Sequence, residues 1–167
     1  MESCATAVKG ITIAAPERGS PSTYFIKFSK VAYLNSVLQL DIRGKIGTKM
    51  LSPKTDYVAY LVFQLGRRSC ELEYANSIIR FVKYESDTET EEQANTLKLV
   101  TSAKLRGDGW MEVELGHFNS KEGSDGPVEA RLFEMKRSSI KSGLIVEGIE
   151  FRPKIIKCRE SKVDLKF

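Results

Sequence analysis

The chain has 167 residues, of which 41% are hydrophobic and 29% charged, and its formal net charge is +4. That length fits one domain, and the apolar fraction suffices for a core without metal or disulfide staples. The charges are interspersed, which excludes the dense basic block of a dedicated nucleic-acid footprint, and no apolar run approaches the ~20 residues of a membrane-spanning helix.

The first residues, Met1 to Ile13, carry Glu2 early and Lys9 inside their apolar part, a pattern unlike a secretory leader. Cytosol or nucleus is the expected compartment. From there, segments rich in β-branched and aromatic residues recur between turn signals, as strands do. Lys9 to Ile13 is the first, closed by the Pro/Gly/Ser stretch Pro16 to Ser22, and Tyr24 to Phe28 is the second. In Val37 to Ile46, Leu38, Leu40 and Ile42 alternate with Gln39, Asp41 and Arg43. A period of two with one apolar face predicts a strand on a half-buried sheet. Pro53 marks Met50 to Thr55 as a connection. Tyr57 to Leu65 is nearly continuous apolar sequence, which predicts a central strand covered on both faces. A short helix is expected around Ser69 to Asn76, then a strand from Ser77 to Tyr84.

The acidic stretch Glu85 to Asn95 reads as a loop and Leu97 to Val100 as a short strand. Gly109 to Leu115 sets Met111, Val113 and Leu115 against Trp110, Glu112 and Glu114. After the polar loop Asn119 to Gly126, Val128 to Met135 sets Val128, Ala130 and Leu132 against Glu129, Arg131 and Phe133. Leu144 to Phe151 closes the core and stops at Pro153, and Ile155 to Phe167 reads as either an added edge strand or a tail. About eight to ten strands at this spacing predict an all-β fold, an antiparallel, jelly-roll-like sandwich of two sheets.

Reactive groups do not converge along the sequence. His117 is the only histidine, and Cys4, Cys70 and Cys158 lack zinc-ligand spacing. No Gly-x-Ser-x-Gly elbow is present. Glu112 and Glu114 share one strand face, as carboxylates on any solvated sheet do. The basic stretch Gly44 to Lys49 lacks the spacing of a phosphate loop and reads as a β-turn. The expectation is a binding module without enzymatic activity, metal or cofactor.

Four segments then stand out in order. They are Leu40-Asp41-Ile42-Arg43-Gly44-Lys45-Ile46, Tyr57-Val58-Ala59-Tyr60-Leu61-Val62-Phe63, Asp108 to Gly116 around Trp110-Met111-Glu112, and Lys141-Ser142-Gly143 running on to Phe151-Arg152-Pro153. Their order and spacing closely resemble the phloem protein 2 family of plants, which includes the Nictaba-like lectins related to tobacco agglutinin. The resemblance runs from about Ile11 to Pro153, so residues 1–154 are expected as the lectin domain and 155–167 as an extension. It implies a carbohydrate-binding-module-like sandwich that recognises N-acetylglucosamine oligomers and the chitobiose core of N-glycans on glycoproteins. It also implies a protein of cytoplasm and nucleus, or of phloem sap, without membrane insertion. Many relatives carry an F-box ahead of this domain, and the shortness of the segment before Ile11 leads to the expectation of a lectin domain nearly alone.

The resemblance also carries site residues. A Tyr-Trp pair of the tobacco-type lectins aligns with Tyr24-Phe25, and a Phe-Phe-Asn loop aligns with Phe118, Asn119 and Ser120. Two family tryptophans align with Ile13 and Ile140. Beside Ile140, Ser139 and Lys141 are candidate polar contacts, and Trp110 reads as a structural ring. Cys4 and Cys158 read either as an intersubunit disulfide of a homodimer or as free thiols. Binding of protein or RNA is the alternative to sugar.

Overall fold

A computed structural model describes residues 11–13, 24–82, 91–121, 126–135 and 138–154, with side chains from residue 31 onward. Its ten described strands are β1 (Ile11–Ile13), β2 (Tyr24–Leu34), β3 (Leu40–Gly47), β4 (Asp56–Cys70), β5 (Tyr74–Phe81), β6 (Asn95–Lys98), β7 (Lys104–Leu105), β8 (Met111–Asn119), β9 (Pro127–Glu134) and β10 (Ser142–Pro153). They form two antiparallel sheets, one in the order β1-β2-β10-β4-β8-β7 and one in the order β3-β9-β5-β6. The fold is the expected all-β sandwich.

The apolar run from Tyr57 becomes the centre of the larger sheet, flanked by β10 and β8. Its odd-numbered residues Tyr57, Ala59, Leu61 and Phe63 enter the core, where Ile42 and Ile46 of β3 and Val128, Ala130 and Leu132 of β9 meet them. Alternation also places Met111, Val113 and Leu115 of β8 on the inner side, as the sequence pattern requires. A bulge at Leu115 of β8, opposite Ala59 and Tyr60, then shifts the register, so that Phe118 faces inward after Leu115.

Several sequence expectations change. No helix forms at Ser69 to Asn76: β4 runs on to Cys70, Glu71 turns the chain at φ 57°, and β5 starts at Tyr74. Burial of Leu72 and Ala75 ties this connection between the two sheets to the core and overrides the weak local preference. Gly44 is not in a turn but inside β3. A Cβ there would lie 2.9 Å from Cδ1 of Ile149, so its bare backbone admits the opposite sheet's side chain. The outer side of β9 is not solvated, since Glu129, Arg131 and Phe133 are buried. Arg80 donates to Glu129 at 2.9 Å and Arg131 reaches Asp41 at 2.9 Å, so these charges are buried with partners. β2 extends to Leu34, well past Phe28, and Asn95 opens β6 instead of closing a loop. Cys4, Cys158, the segment 155–167 and most of the acidic stretch lie outside the described residues.

Candidate functional site

Because odd-numbered residues of β4 enter the core, Val58, Tyr60, Val62 and Gln64 belong to the outer face of the larger sheet. Register places Glu150 and Glu114 on either side of Tyr60, Glu112 beside Val62, and Arg152 and His117 beside Val58. Ile145 sits beside Gln64, with Tyr33 next to it on β2. Phe25 is the register partner of Glu150.

Charged groups on this face lock together across three strands. The Nε of Arg152 donates to Glu150 at 2.7 Å and its Nη1 to Glu112 at 3.1 Å, while its Nη2 also pairs with Glu112. The same guanidinium lies 4.1 Å from the ring centroid of Tyr60, a cation–π contact. Arg106 donates to the second oxygen of Glu150 at 2.9 Å. The Glu112 hydrogen bond is the largest influence on Arg152 and, with that of Glu150, outweighs burial to hold the guanidinium charged more firmly than usual. Burial, then the nearby Glu114 carboxylate, raises the Tyr60 phenol above the ordinary tyrosine range. Both oxygens of Glu112 and of Glu150 are engaged by guanidinium groups. That arrangement fixes acceptors and donors in place, which suits recognition better than proton transfer.

Aromatic surface borders this lattice. Tyr33 is 59% exposed and Val31 50% exposed. Gly66 is a neighbour of the Tyr33 ring, since a Cβ there would lie in ordinary contact with its Cε2 at 3.8 Å. Trp110 is partly exposed and belongs neither to the core nor to the half-buried residues packed on it. It precedes inward-facing Met111, which puts it on the outer side. Three strand spacings separate Tyr33 from Trp110, about 14 Å. Sugar C–H faces stack on such rings, and hydroxyl and acetamido groups take fixed polar partners of this kind.

The residues expected from sequence do not assemble into one site. Tyr24, Phe25, Asn119 and Ser120 belong to the end where β10 finishes, whereas Ser139, Ile140 and Lys141 precede its start. The length of β10 separates the two groups by roughly 35 Å. Phe118 is buried and packs on Tyr57, Phe81 and Phe151 at centroid distances of 5.7, 6.2 and 6.1 Å. The bulge in β8 turns it inward, so its ring is in the core and not on the surface. Ser120 is fully buried, accepting from the Thr55 N–H at 3.0 Å and donating to the Ser52 carbonyl. Lys141 is buried too, paired with Glu134 at 2.6 Å and donating to the carbonyls of Leu38 and Ser139 at 2.8 and 3.2 Å. Asn119 remains exposed and donates to Asp56 at 2.7 Å. Ser139 is half-buried and Ile140 is 56% exposed. The side chains of Ile13, Tyr24 and Phe25 are outside the description.

Tyr33, Tyr60, Gln64, Arg106 and Arg152 were not singled out from sequence. The Glu150-x-Arg152 spacing is a usable signal, because period two puts both on one face. Glu112 joins them only through strand order. Among the described residues no group of three or more His, Cys, Asp or Glu is arranged to hold a metal ion.

Comparison with known proteins bears on this surface. A family model for phloem protein 2 matches residues 19–153. An F-box protein of Arabidopsis thaliana is 39% identical over 138 residues, covering 76% of this chain and 42% of the relative. F-box protein PP2-B13 of the same plant is 32% identical over 157 residues, covering 76% of this chain and 55% of its own length. F-box protein PP2-B10 is 36% identical over 140 residues, covering 76% and 50%. The chain thus spans about half the length of the curated relatives it matches.

Proposed function

The chain belongs to the phloem protein 2 family, and from that premise we propose that it is a non-catalytic lectin module for N-acetylglucosamine oligomers, including the chitobiose core of N-glycans. One observation carries the reading: exposed Tyr33 and partly exposed Trp110 border a lattice of fixed carboxylate and guanidinium groups on one sheet face. The rings take the apolar sides of pyranoses, and the polar lattice takes their hydroxyl and acetamido groups. Their spacing of about 14 Å favours an oligomer over a single sugar. Phe25 extends the row of Glu150 and Tyr60 by register, while Asn119 and Ser139 at the two ends lie beyond its reach.

The relatives' names, F-box proteins, support a protein partner, which on the lectin reading is a glycoprotein. The family resemblance supports cytoplasm, nucleus or phloem sap as its setting. No helix among the described residues is long and apolar enough to cross a membrane.

Calorimetric titration with chitotriose tests the reading. Binding is expected for the wild-type chain and a loss of about tenfold or more for Tyr33→Ala, the cost of one stacking ring. Absence of heat with chitotriose and with an N-glycan core would remove the lectin reading. Salt-sensitive retention of RNA in its place would favour a nucleic-acid partner.

A further inference from the structure

We propose that Arg106 is a positioning residue that presets Trp110 as one end of the glycan platform. The inference rests on the lectin reading of that face for its ligand, and on local geometry for its mechanism.

β7 has two residues, Lys104 and Leu105, which pair only with Glu112 and Met111. So short an edge strand holds the following turn weakly. The turn from Arg106 to Trp110 has its own closure: the Arg106 N–H donates to the Trp110 carbonyl at 2.7 Å, and the Gly109 N–H to the Arg106 carbonyl at 3.3 Å. Asp108 accepts from the Trp110 N–H at 3.1 Å, and Gly109 supplies the positive φ of 86°. These bonds shape the turn but do not attach it to the sheet.

Attachment comes from the Arg106 side chain. Its Nη1 reaches over β4 to Glu150 on β10 at 2.9 Å, while its Nε stays 3.4 Å from Asp108 inside the turn. Glu150 is itself held by Arg152, and Arg152 by Glu112 on β8. The guanidinium therefore joins the Trp110 turn to β10, whose Glu150 is linked through Arg152 to Glu112 of β8. Among the described residues, the turn is also tied to β4 by a 3.4 Å hydrogen bond from Gln64 to the Gly109 carbonyl, near the limit of useful length. With a 27% exposed side chain, Arg106 makes this link partly shielded from water. A ring held in place before the ligand arrives loses less freedom on binding, so affinity gains without Arg106 touching the sugar.

Trp110 is the only tryptophan, so its fluorescence reports this turn alone. The experiment compares wild type, Arg106→Ala and Arg106→Lys by iodide quenching without ligand, and these three with Trp110→Ala by chitotriose calorimetry. Arg106→Ala is expected to raise iodide quenching, to lower fluorescence anisotropy and to weaken chitotriose binding by about tenfold. Arg106→Lys, which keeps a charged donor toward Glu150, should recover part of both effects. Trp110→Ala should weaken binding at least as much as Arg106→Ala does. Unchanged quenching and anisotropy in Arg106→Ala would overturn the positioning role, whatever the ligand result. Wild-type binding with full affinity in Trp110→Ala would overturn the platform role of the ring and leave the lectin reading standing. A wild-type chain that ignores chitotriose would defeat the lectin reading, and the quenching comparison would still decide the role of Arg106.

Discussion

Asp41 sits between two guanidinium groups, receiving hydrogen bonds from Arg131 at 2.9 and 3.1 Å and from Arg43 at 2.9 Å. Burial by itself pushes its carboxyl up, but the bonds from Arg131 and Arg43 together outweigh burial and hold it below its ordinary value of 3.8. The unfolded chain therefore takes up this proton first as pH falls. The stabilisation is fully present above the unfolded value and is lost as pH drops through the lower folded one. Urea unfolding from about pH 6 down to about pH 3 should show a flatter pH dependence for Asp41→Asn than for wild type. Lys141 makes a second prediction at this scale. It forms an ion pair with buried Glu134, so Lys141→Met, which breaks that pair, should destabilise by about 3–5 kcal/mol in urea melts. Neither residue's environment is visible in sequence. Lys141 stands in a polar stretch that reads as a solvated loop, but it pairs with Val37 in an antiparallel bridge that continues the register of β2 and β10.

Strands here depend on backbone approaches that only glycine permits. Gly143 has φ 84°, and a Cβ on it would lie 2.6 Å from Cα of Ser69, backbone against backbone. Neither strand can retreat without breaking the pairing of β10 with β4, so Gly143→Ala should destabilise by about 1–3 kcal/mol or more. Gly107 is the control: a Cβ there meets nothing within 4 Å, and Gly107→Ala should leave the thermal midpoint nearly unchanged or slightly raised. The elements themselves were largely legible. Period two in β3 and β8 and the continuous apolar run in β4 gave strand, face and centrality correctly, because alternation is a local property of extended chain. β9 misled on its polar side, since alternation reveals which residues share a face but not whether that face meets water. The sharp crossing from β4 in one sheet to β5 in the other is not legible in sequence, because its turn residues carry little signal of their own.

At the scale of the molecule, the core is held by β4, and Leu61 lies fully buried at its centre. Leu61→Ala should cost about 2–5 kcal/mol by denaturant unfolding while leaving the outer-face lattice chemically intact. Association belongs to this scale as well. A homodimer carrying two glycan faces would cross-link glycoproteins, and size exclusion with non-reducing mass analysis should give twice the mass of an 18.8 kDa chain. A single-chain mass in both measurements would exclude it.

From sequence alone came the all-β class, the inward residues of the central strands and the family resemblance, because each rests on patterns that neighbouring residues carry together. The tertiary structure alone decided which side chains share a surface. It sent Phe118, Ser120 and Lys141 inside, kept the two ends of β10 apart, and brought Glu112, Glu150, Arg106 and Arg152 together around Tyr60. Those four charged residues come from three separate segments of the chain, and strand order and register, which no local pattern encodes, make them neighbours.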